Sequence, residues 1–279
     1  MPNTNDLPHL IRLLDDDDPA VVPVVRQHLS EFGGDISQDL AALGIDLPDA
    51  GKKKLSLLLA QGRRQTLADE WQVPSHGVAA WDGDWDGFEH ALRLLSDFLH
   101  DGVTLRPSLS DSLDLLVDEA RDQMVDPDAD ELREWLFEEG KFRGTKKRAD
   151  ACEHFDLCHV MDIQRGNPTS LACLFMLLGK RLGVRVEGCN YPGHFLARIQ
   201  VEGRSTLVDC FHQGRAFDVE ALLQAHPEIS KKAHTAVQSP AHLGIVLHRY
   251  VIEIRSSLFA SGRDEDAEFF TQLAETLEK

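Results

Sequence analysis

The chain has 279 residues, of which 42% are hydrophobic and 27% are charged, which excludes a wholly disordered chain and allows two domains or one enlarged domain. Lys and Arg number 29 against 47 Asp and Glu, so the net charge is −18. This charge repels nucleic-acid phosphates and anionic membranes, and we therefore expect neither nucleic acid nor a membrane as a partner.

The cellular compartment can be predicted from three features of the sequence. No stretch reaches the roughly 18 consecutive apolar residues that a membrane span requires. The start of the chain carries no basic patch followed by an apolar run, as a secretory signal would. The five cysteines are an odd number scattered through the chain, which favours reduced thiols over a disulfide framework. The sequence therefore predicts a cytoplasmic protein.

Apolar residues with helical spacing predict two short helices within residues 5–43. Pro19 suits the first turn of the second helix, and Gly33 ends that helix. The pair resembles a single HEAT-like helix pair, but one pair cannot form a solenoid, so we expect it to pack on the neighbouring domain. With a further helix predicted at 55–60, residues 1–80 are expected to form a helical N-terminal region.

The middle of the chain predicts helices separated by polar loops. Residues 81–87 are typical of a turn-rich loop, and their Asp spacing lacks the closing Glu of a calcium-binding loop. Three apolar stripes with helical spacing follow between residues 88 and 139. The dense basic stretch at 141–148 is interpreted as a solvated loop, because the chain as a whole is acidic.

Four possible zinc ligands lie within eight residues of one another, namely Cys152, His154, Cys158 and His159. Structural zinc sites use two ligand pairs separated by a longer loop, so this spacing is too cramped for a common tetrahedral site. We therefore predict a surface loop with incidental Cys and His side chains. No metal and no cofactor are predicted for the chain, and the role of these four residues stays open.

A central buried helix is the clearest element of the sequence. Asn167 suits an N-cap, Pro168 suits the first helical position, and Gly183 suits the helix end. The residues between them are apolar nearly all round, which predicts a core helix. Three strands are predicted after it, with His194 at the start of the second and Asp209 at the end of the third.

Four linked motifs occur in order in this region, namely Arg165-Gly-Asn-Pro-Thr-Ser-Leu171, Arg181-Leu-Gly183, Asn190-Tyr-Pro-Gly-His-Phe-Leu196 and Val208-Asp-Cys-Phe-His-Gln-Gly214. Together they resemble the SirB-type branch of the transglutaminase-like superfamily. The resemblance is tight over residues 164–215 and looser over 88–163, while segments 249–258 and 264–277 resemble a tetratricopeptide-like helix pair.

The resemblance implies an α+β fold, predominantly α, whose core domain at 81–239 packs a central helix on a small antiparallel sheet. A C-terminal helix pair is expected at 240–279. The resemblance also implies a papain-like site with a nucleophile at the helix start, a His on one strand and an Asp on the next. His194 and Asp209 match the last two positions, and a carboxylate bound to one imidazole nitrogen would leave the other nitrogen as a base.

The nucleophile is the departure from the superfamily pattern. Active transglutaminase-like enzymes carry Cys at the helix start, but counting back about four turns from Gly183 arrives at Pro168 or Thr169. Ser170 lies in the first turn, where a serine more often stabilises the helix start. Cys173 lies one turn further along, at a depth where a thiol is usually inert. Cys210 is expected to face away from the Asp that precedes it.

Two functions therefore stay open. The preferred one is a noncatalytic module that binds or regulates a protein partner, whose identity the sequence does not give. The alternative is a hydrolase or acyl-transferase that uses Ser170, Thr169 or Cys173 together with His194 and Asp209. A third and weaker interpretation is a purely structural helical scaffold.

Overall fold

The computed structural model describes residues 3–15, 18, 20–74, 77–146, 150–226 and 228–278. Pro19, predicted in the first turn of a helix, and the end of the basic stretch lie outside the described residues. The chain divides into two compact units, one formed by Met1–Gln72 with Leu94–Pro107 and the other by Val73–Arg93 with Ser108–Lys279. The predicted domain limits at residues 80 and 239 stay predictions.

The first unit is helical. The described residues of 5–43 hold three α-helices, rather than the predicted pair, and the helix expected at 55–60 is much longer. The helices of this part are α1 (Leu7–Arg12), α2 (Val21–Ser30), α3 (Ser37–Ala42) and α4 (Asp49–Glu70). Most of their buried leucines form one hydrophobic cluster with Val25 and Ile36. Helix α5 (Trp85–Leu99) contributes residues to both units, and its start at Trp85 shortens the loop predicted at 81–87.

The helices of the second unit surround a small sheet. They are α6 (Leu109–Gln123), α7 (Ala129–Arg133) continued by a π-helical turn (Glu134–Glu138), α8 (Leu157–Ile163), α9 (Pro168–Leu182), α10 (Val219–Ala225), α11 (Lys231–Gln238), α12 (Leu243–Ala260) and α13 (Asp264–Glu278). Helices α12 and α13 pack against each other. The predicted α+β fold, predominantly α, is thereby confirmed. In the part of the chain that the structure describes, each helix is too short or too polar to cross a bilayer.

The central helix α9 has the ends that the sequence predicts. The Asn167 side chain accepts a hydrogen bond from the Ser170 N–H at 2.8 Å, and the Ser170 hydroxyl accepts one from the Asn167 N–H at 3.0 Å. This reciprocal capping box satisfies two donors at the helix start. Gly183 ends the helix with φ +77°, a conformation that glycine adopts without strain. Residues 169–179 between these ends are buried, as expected for a core helix.

The main sheet is an antiparallel meander in the order β3-β4-β5-β6. Its strands are β3 (Glu187–Cys189), β4 (Leu196–Val201), β5 (Arg204–Asp209) and β6 (Arg215–Asp218), and the earlier β1 (Arg143–Gly144) and β2 (Arg165–Gly166) form a separate parallel pair. The sequence predicted three strands after the central helix, so β6 was not predicted. Ala197 pairs with Val208, so the start of β4 and the end of β5 lie at the same end of the sheet.

The Cys/His segment is not the surface loop that its composition predicted. Residues Cys152–Phe155 form a 3-10 helix that leads into α8. His154 and Cys158 are buried. The Asp156 side chain caps α8 by accepting the backbone N–H groups of Cys158 and His159. The prediction was wrong because the apolar residues between the Cys and His positions, Phe155 and Leu157, are buried in the core.

Candidate functional site

The two residues matched to the superfamily site lie in direct contact. His194 follows the turn that leads into β4, and Asp209 is the last residue of β5. Because β4 and β5 pair antiparallel, the start of β4 and the end of β5 lie at the same end of the sheet, and the two side chains meet there. The His194 Nε2 lies 2.8 Å from the Asp209 Oδ1. A carboxylate in this position fixes the tautomer of the imidazole and directs its Nδ1 away from the aspartate.

A second histidine joins this pair. His212 Nδ1 lies 2.8 Å from the other carboxylate oxygen of Asp209, and the His212 backbone N–H donates to Oδ1 at 3.1 Å. The two imidazole rings stack with centroids 5.5 Å apart. His212 was not among the predicted site residues. The available signal was the Asp-x-x-His spacing within the last motif, which places both side chains on one side of a tight turn.

Asp209 is the most enclosed member of this group. Its side chain is 12% exposed, against 30% for His194 and 63% for His212. Burial by itself raises the pKa of Asp209, but hydrogen bonds from His194 and His212 and charge attraction from His194 outweigh burial, so the pKa lies below its ordinary value. The group is therefore a carboxylate at neutral pH, held between two imidazoles whose outer sides face solvent.

The Ser170 hydroxyl forms hydrogen bonds with the backbone at the helix start. Its hydroxyl accepts the Asn167 N–H and lies 3.2 Å from the Asn167 carbonyl, to which it donates. The residue is fully buried. These contacts use the hydroxyl for capping and leave it enclosed. The prediction that a serine here stabilises the helix start is confirmed.

Two thiols near the site are enclosed in the core. Cys173 and Cys210 are both fully buried. Burial raises the pKa of both thiols, and the nearby negative charges of Glu253 and Asp209, respectively, raise it further. A thiol must ionise to act as a nucleophile, so neither side chain has the character of a catalytic cysteine.

Thr169 is the remaining candidate, and it faces a cleft. Its hydroxyl donates a hydrogen bond of 2.6 Å to the Glu253 carboxylate on α12. Thr169, Glu253 and Gly193, the neighbour of His194, all line a cleft of about 290 Å³. The Thr169 side chain is nonetheless nearly enclosed, because the residue as a whole is 1% exposed.

Arg249 connects α12 to the turn before His194. Its Nε donates to Glu253 at 2.8 Å, and its Nη1 donates to the Asn190 side chain and the Tyr191 carbonyl, each at 2.7 Å. The guanidinium also lies 5.2 Å from the ring centroid of Phe195, within the range of a cation–π contact. Helix α12 was not predicted to take part in the site, because this contact joins segments about 60 residues apart in the chain.

Comparison with known proteins gives a family and a small set of relatives. The transglutaminase-like superfamily pattern matches residues 108–255, which is more than half of the chain. Two curated proteins of Xylella fastidiosa, both called UPF0162 protein, are similar to it. The one from strain Temecula1 is 31% identical over 103 residues, which are 37% of each chain. The one from strain 9a5c is 32% identical over 91 residues, or 33% of this chain and 32% of the relative.

The chain thus spans only about a third of the length of the curated relatives it matches. No solved structure matches it. The superfamily match covers α6 to the greater part of α12. It therefore includes the buried helix, the end of the sheet that holds His194 and Asp209, and the cleft lining except Ser256 and Ser257. This chain belongs to the transglutaminase-like superfamily.

Proposed function

We propose that the protein is a noncatalytic member of this superfamily that binds a segment of a partner protein in the cleft beside His194. The observation that carries the proposal is the enclosure of the helix start, where Thr169, Ser170 and Cys173 are 1%, 0% and 0% exposed. Covalent transfer needs a nucleophile that reaches the substrate carbonyl at about 3–3.5 Å and a base within hydrogen-bond reach. None of these three enclosed side chains offers that approach.

The cleft suits a peptide segment better than it suits a reaction. Phe155 and Phe195 lie in its wall but are buried, so the groups that a bound segment would meet are the charged and hydrogen-bonding side chains of Arg249, Glu253 and Ser256. Its volume of about 290 Å³ lies at the lower end of ligand sites, which run from about 300 to 1,000 Å³. This volume accommodates one or two side chains of an extended segment.

The SirB-type assignment and the two helix-pair assignments belong to the same proposal. The quoted motifs support the SirB-type branch, and the packing of α12 on α13 supports a tetratricopeptide-like pair at the C-terminus. The HEAT-like interpretation of residues 5–43 rests on the first two helices of that segment. A cytoplasmic location is also proposed, supported by the free thiols of the cysteines.

Peptide binding can be tested with a variant that blocks the cleft and leaves Arg249 and Glu253 unchanged. Ser256 lies in the lining and is exposed, so Ser256→Trp places a large ring across the cleft. Glu268→Trp, exposed on α13 and outside the lining, is the matched control. Peptides are selected from a random display library with the wild-type protein, and their affinities for the three proteins are compared. We expect Ser256→Trp to weaken binding at least about tenfold, or 1.4 kcal/mol. Equal binding by both variants, or no enriched peptide, would contradict the proposal.

One observation favours the second candidate function. The short hydrogen bond between the Thr169 hydroxyl and the Glu253 carboxylate is the geometry by which a base activates an alcohol. A hydrolase or acyl-transferase built on Thr169, with His194 and Asp209 as its other members, would form a covalent adduct with an acylating probe. Ser170 and Cys173 are the other nucleophiles of this alternative, and the site of the adduct distinguishes among them.

A further inference from the structure

Asp209 has one histidine more than a hydrolytic triad uses. In a triad, one imidazole acts as the base and the carboxylate orients it. Here His194 and His212 each contact a different oxygen of the same carboxylate, at 2.8 Å. His212 has no part in peptide binding at the cleft as proposed above, since it is not among the lining residues. The second imidazole therefore requires a separate explanation.

The three side chains have the donor atoms of a transition-metal site. Two imidazole nitrogens and one carboxylate are a common ligand set for zinc and for other first-row divalent ions. One donor atom from each of the three residues lies within 4.8 Å of the others. Donors at 2.0–2.2 Å from an ion are about 3.0 Å apart in octahedral geometry and about 3.4 Å apart in tetrahedral geometry. The two observed contacts of 2.8 Å would thus open by about 0.2 Å in octahedral or 0.6 Å in tetrahedral geometry, and any donor pair near the 4.8 Å limit would have to close.

The surroundings of the group also suit a cation. The Asp209 carboxylate anchors the group from the protein side, while the more exposed His212 leaves the outer side open to water or to a ligand group. Phe211 supports both imidazoles edge-on, with centroids 6.1 Å from His194 and 5.1 Å from His212. The backbone N–H of His212 donates a hydrogen bond to a carboxylate oxygen of Asp209. Groups outside the ligand set orient metal ligands in the same way.

We propose that His194, Asp209 and His212 form a binding site for a divalent transition-metal ion, with Zn²⁺ as the expected occupant. Three protein ligands leave at least one coordination position for water or for an oxygen of a bound molecule. The proposal does not rest on peptide binding in the cleft.

The test is a calorimetric titration of Zn²⁺ into the full chain after treatment with a chelator. Co²⁺ absorption spectra report the coordination geometry independently. The variants are His212→Gln, which changes an exposed side chain, and Asp209→Asn. The matched control is His159→Gln, which alters the Cys/His segment around α8 and leaves His194, Asp209 and His212 unchanged. Circular dichroism confirms that each variant is folded.

The wild type and His159→Gln are expected to bind one Zn²⁺ with the same affinity. His212→Gln should bind at least about tenfold more weakly, because even the loss of an outer contact weakens metal binding 10–100-fold. Asp209→Asn should be at least as weak as His212→Gln. Unchanged affinity in folded His212→Gln, loss of binding in His159→Gln, or no stoichiometric binding by the wild type would overturn the proposal.

Discussion

Replacing Ser170 by alanine should destabilise the second unit, because the hydroxyl is part of the capping box of α9. The Asn167 N–H would lose its acceptor, which now lies at 3.0 Å. Asn167 is 2% exposed, so water does not replace the lost partner. An unsatisfied buried donor costs about 1–3 kcal/mol. The other half of the box, from the Asn167 side chain to the Ser170 N–H, stays intact, so we expect a total loss of about 1–3 kcal/mol in the free energy of unfolding.

Urea unfolding followed by tryptophan fluorescence can measure this loss in the second unit alone. Trp71 belongs to the first unit, whereas the other three tryptophans belong to the second. A Trp71→Phe background therefore reports only the second unit. The matched control is Ser256→Ala, whose hydroxyl donates to a carbonyl of its own helix, and it should stay within about 0.5 kcal/mol of the background. A change below about 0.5 kcal/mol in Ser170→Ala would refute the capping role.

Three further predictions follow from buried or charged groups elsewhere. Phe175→Ala should cost about 3–5 kcal/mol in the free energy of unfolding, because Phe175 is fully buried and packs edge-on against Phe137 with ring centroids 5.6 Å apart. A urea unfolding midpoint that hardly shifts would show that the core assignment of α9 is wrong. Iodoacetamide should alkylate the partly exposed Cys152 in the native protein and should label the buried Cys173 only after unfolding, which peptide mapping by mass spectrometry can check. Burial by itself raises the pKa of Asp101, but hydrogen bonds from the residues of its own loop outweigh burial and lower it; the charged carboxylate therefore stabilises the fold above its ordinary pKa of 3.8 and loses this effect as the pH falls through the lower native value. Asp101→Asn should thus be less stable than the wild type at neutral pH, and the difference should shrink as the pH falls below 3.8 toward the lower native pKa. A stability difference that does not shrink in acid would contradict this cause.

Local signals were sufficient to predict the helix that forms the core. The N-cap Asn167, the proline after it and Gly183 each act within one turn of chain, and a continuous apolar run between them leaves the core as the only favourable environment. The role of Ser170 in stabilising the helix start followed from the same local chemistry. The contact between His194 and Asp209 was expected from the resemblance, and the antiparallel pairing of β4 with β5 produces it.

Features that depend on distant contacts were not predicted. Strand β6 (Arg215–Asp218) has its two apolar residues next to each other and is partly exposed, so it lacks the apolar alternation that identifies a strand. It forms by pairing with β5. The part that α12 plays at the site follows from Arg249 and Glu253, which reach segments far away in sequence. In the Cys/His segment, burial comes from Phe155 and Leu157, two apolar residues that are too few to show a period in the sequence.

Intact-mass spectrometry with an acylating probe tests directly whether the helix start lacks a working nucleophile. The wild type, Thr169→Val and His194→Ala are incubated with p-nitrophenyl acetate, and any adduct is located by peptide mapping. The account predicts that no stable adduct on residues 169–173 depends on His194. A stoichiometric adduct on Thr169 that disappears in both variants would contradict it and would establish the chain as an acyl-transfer enzyme.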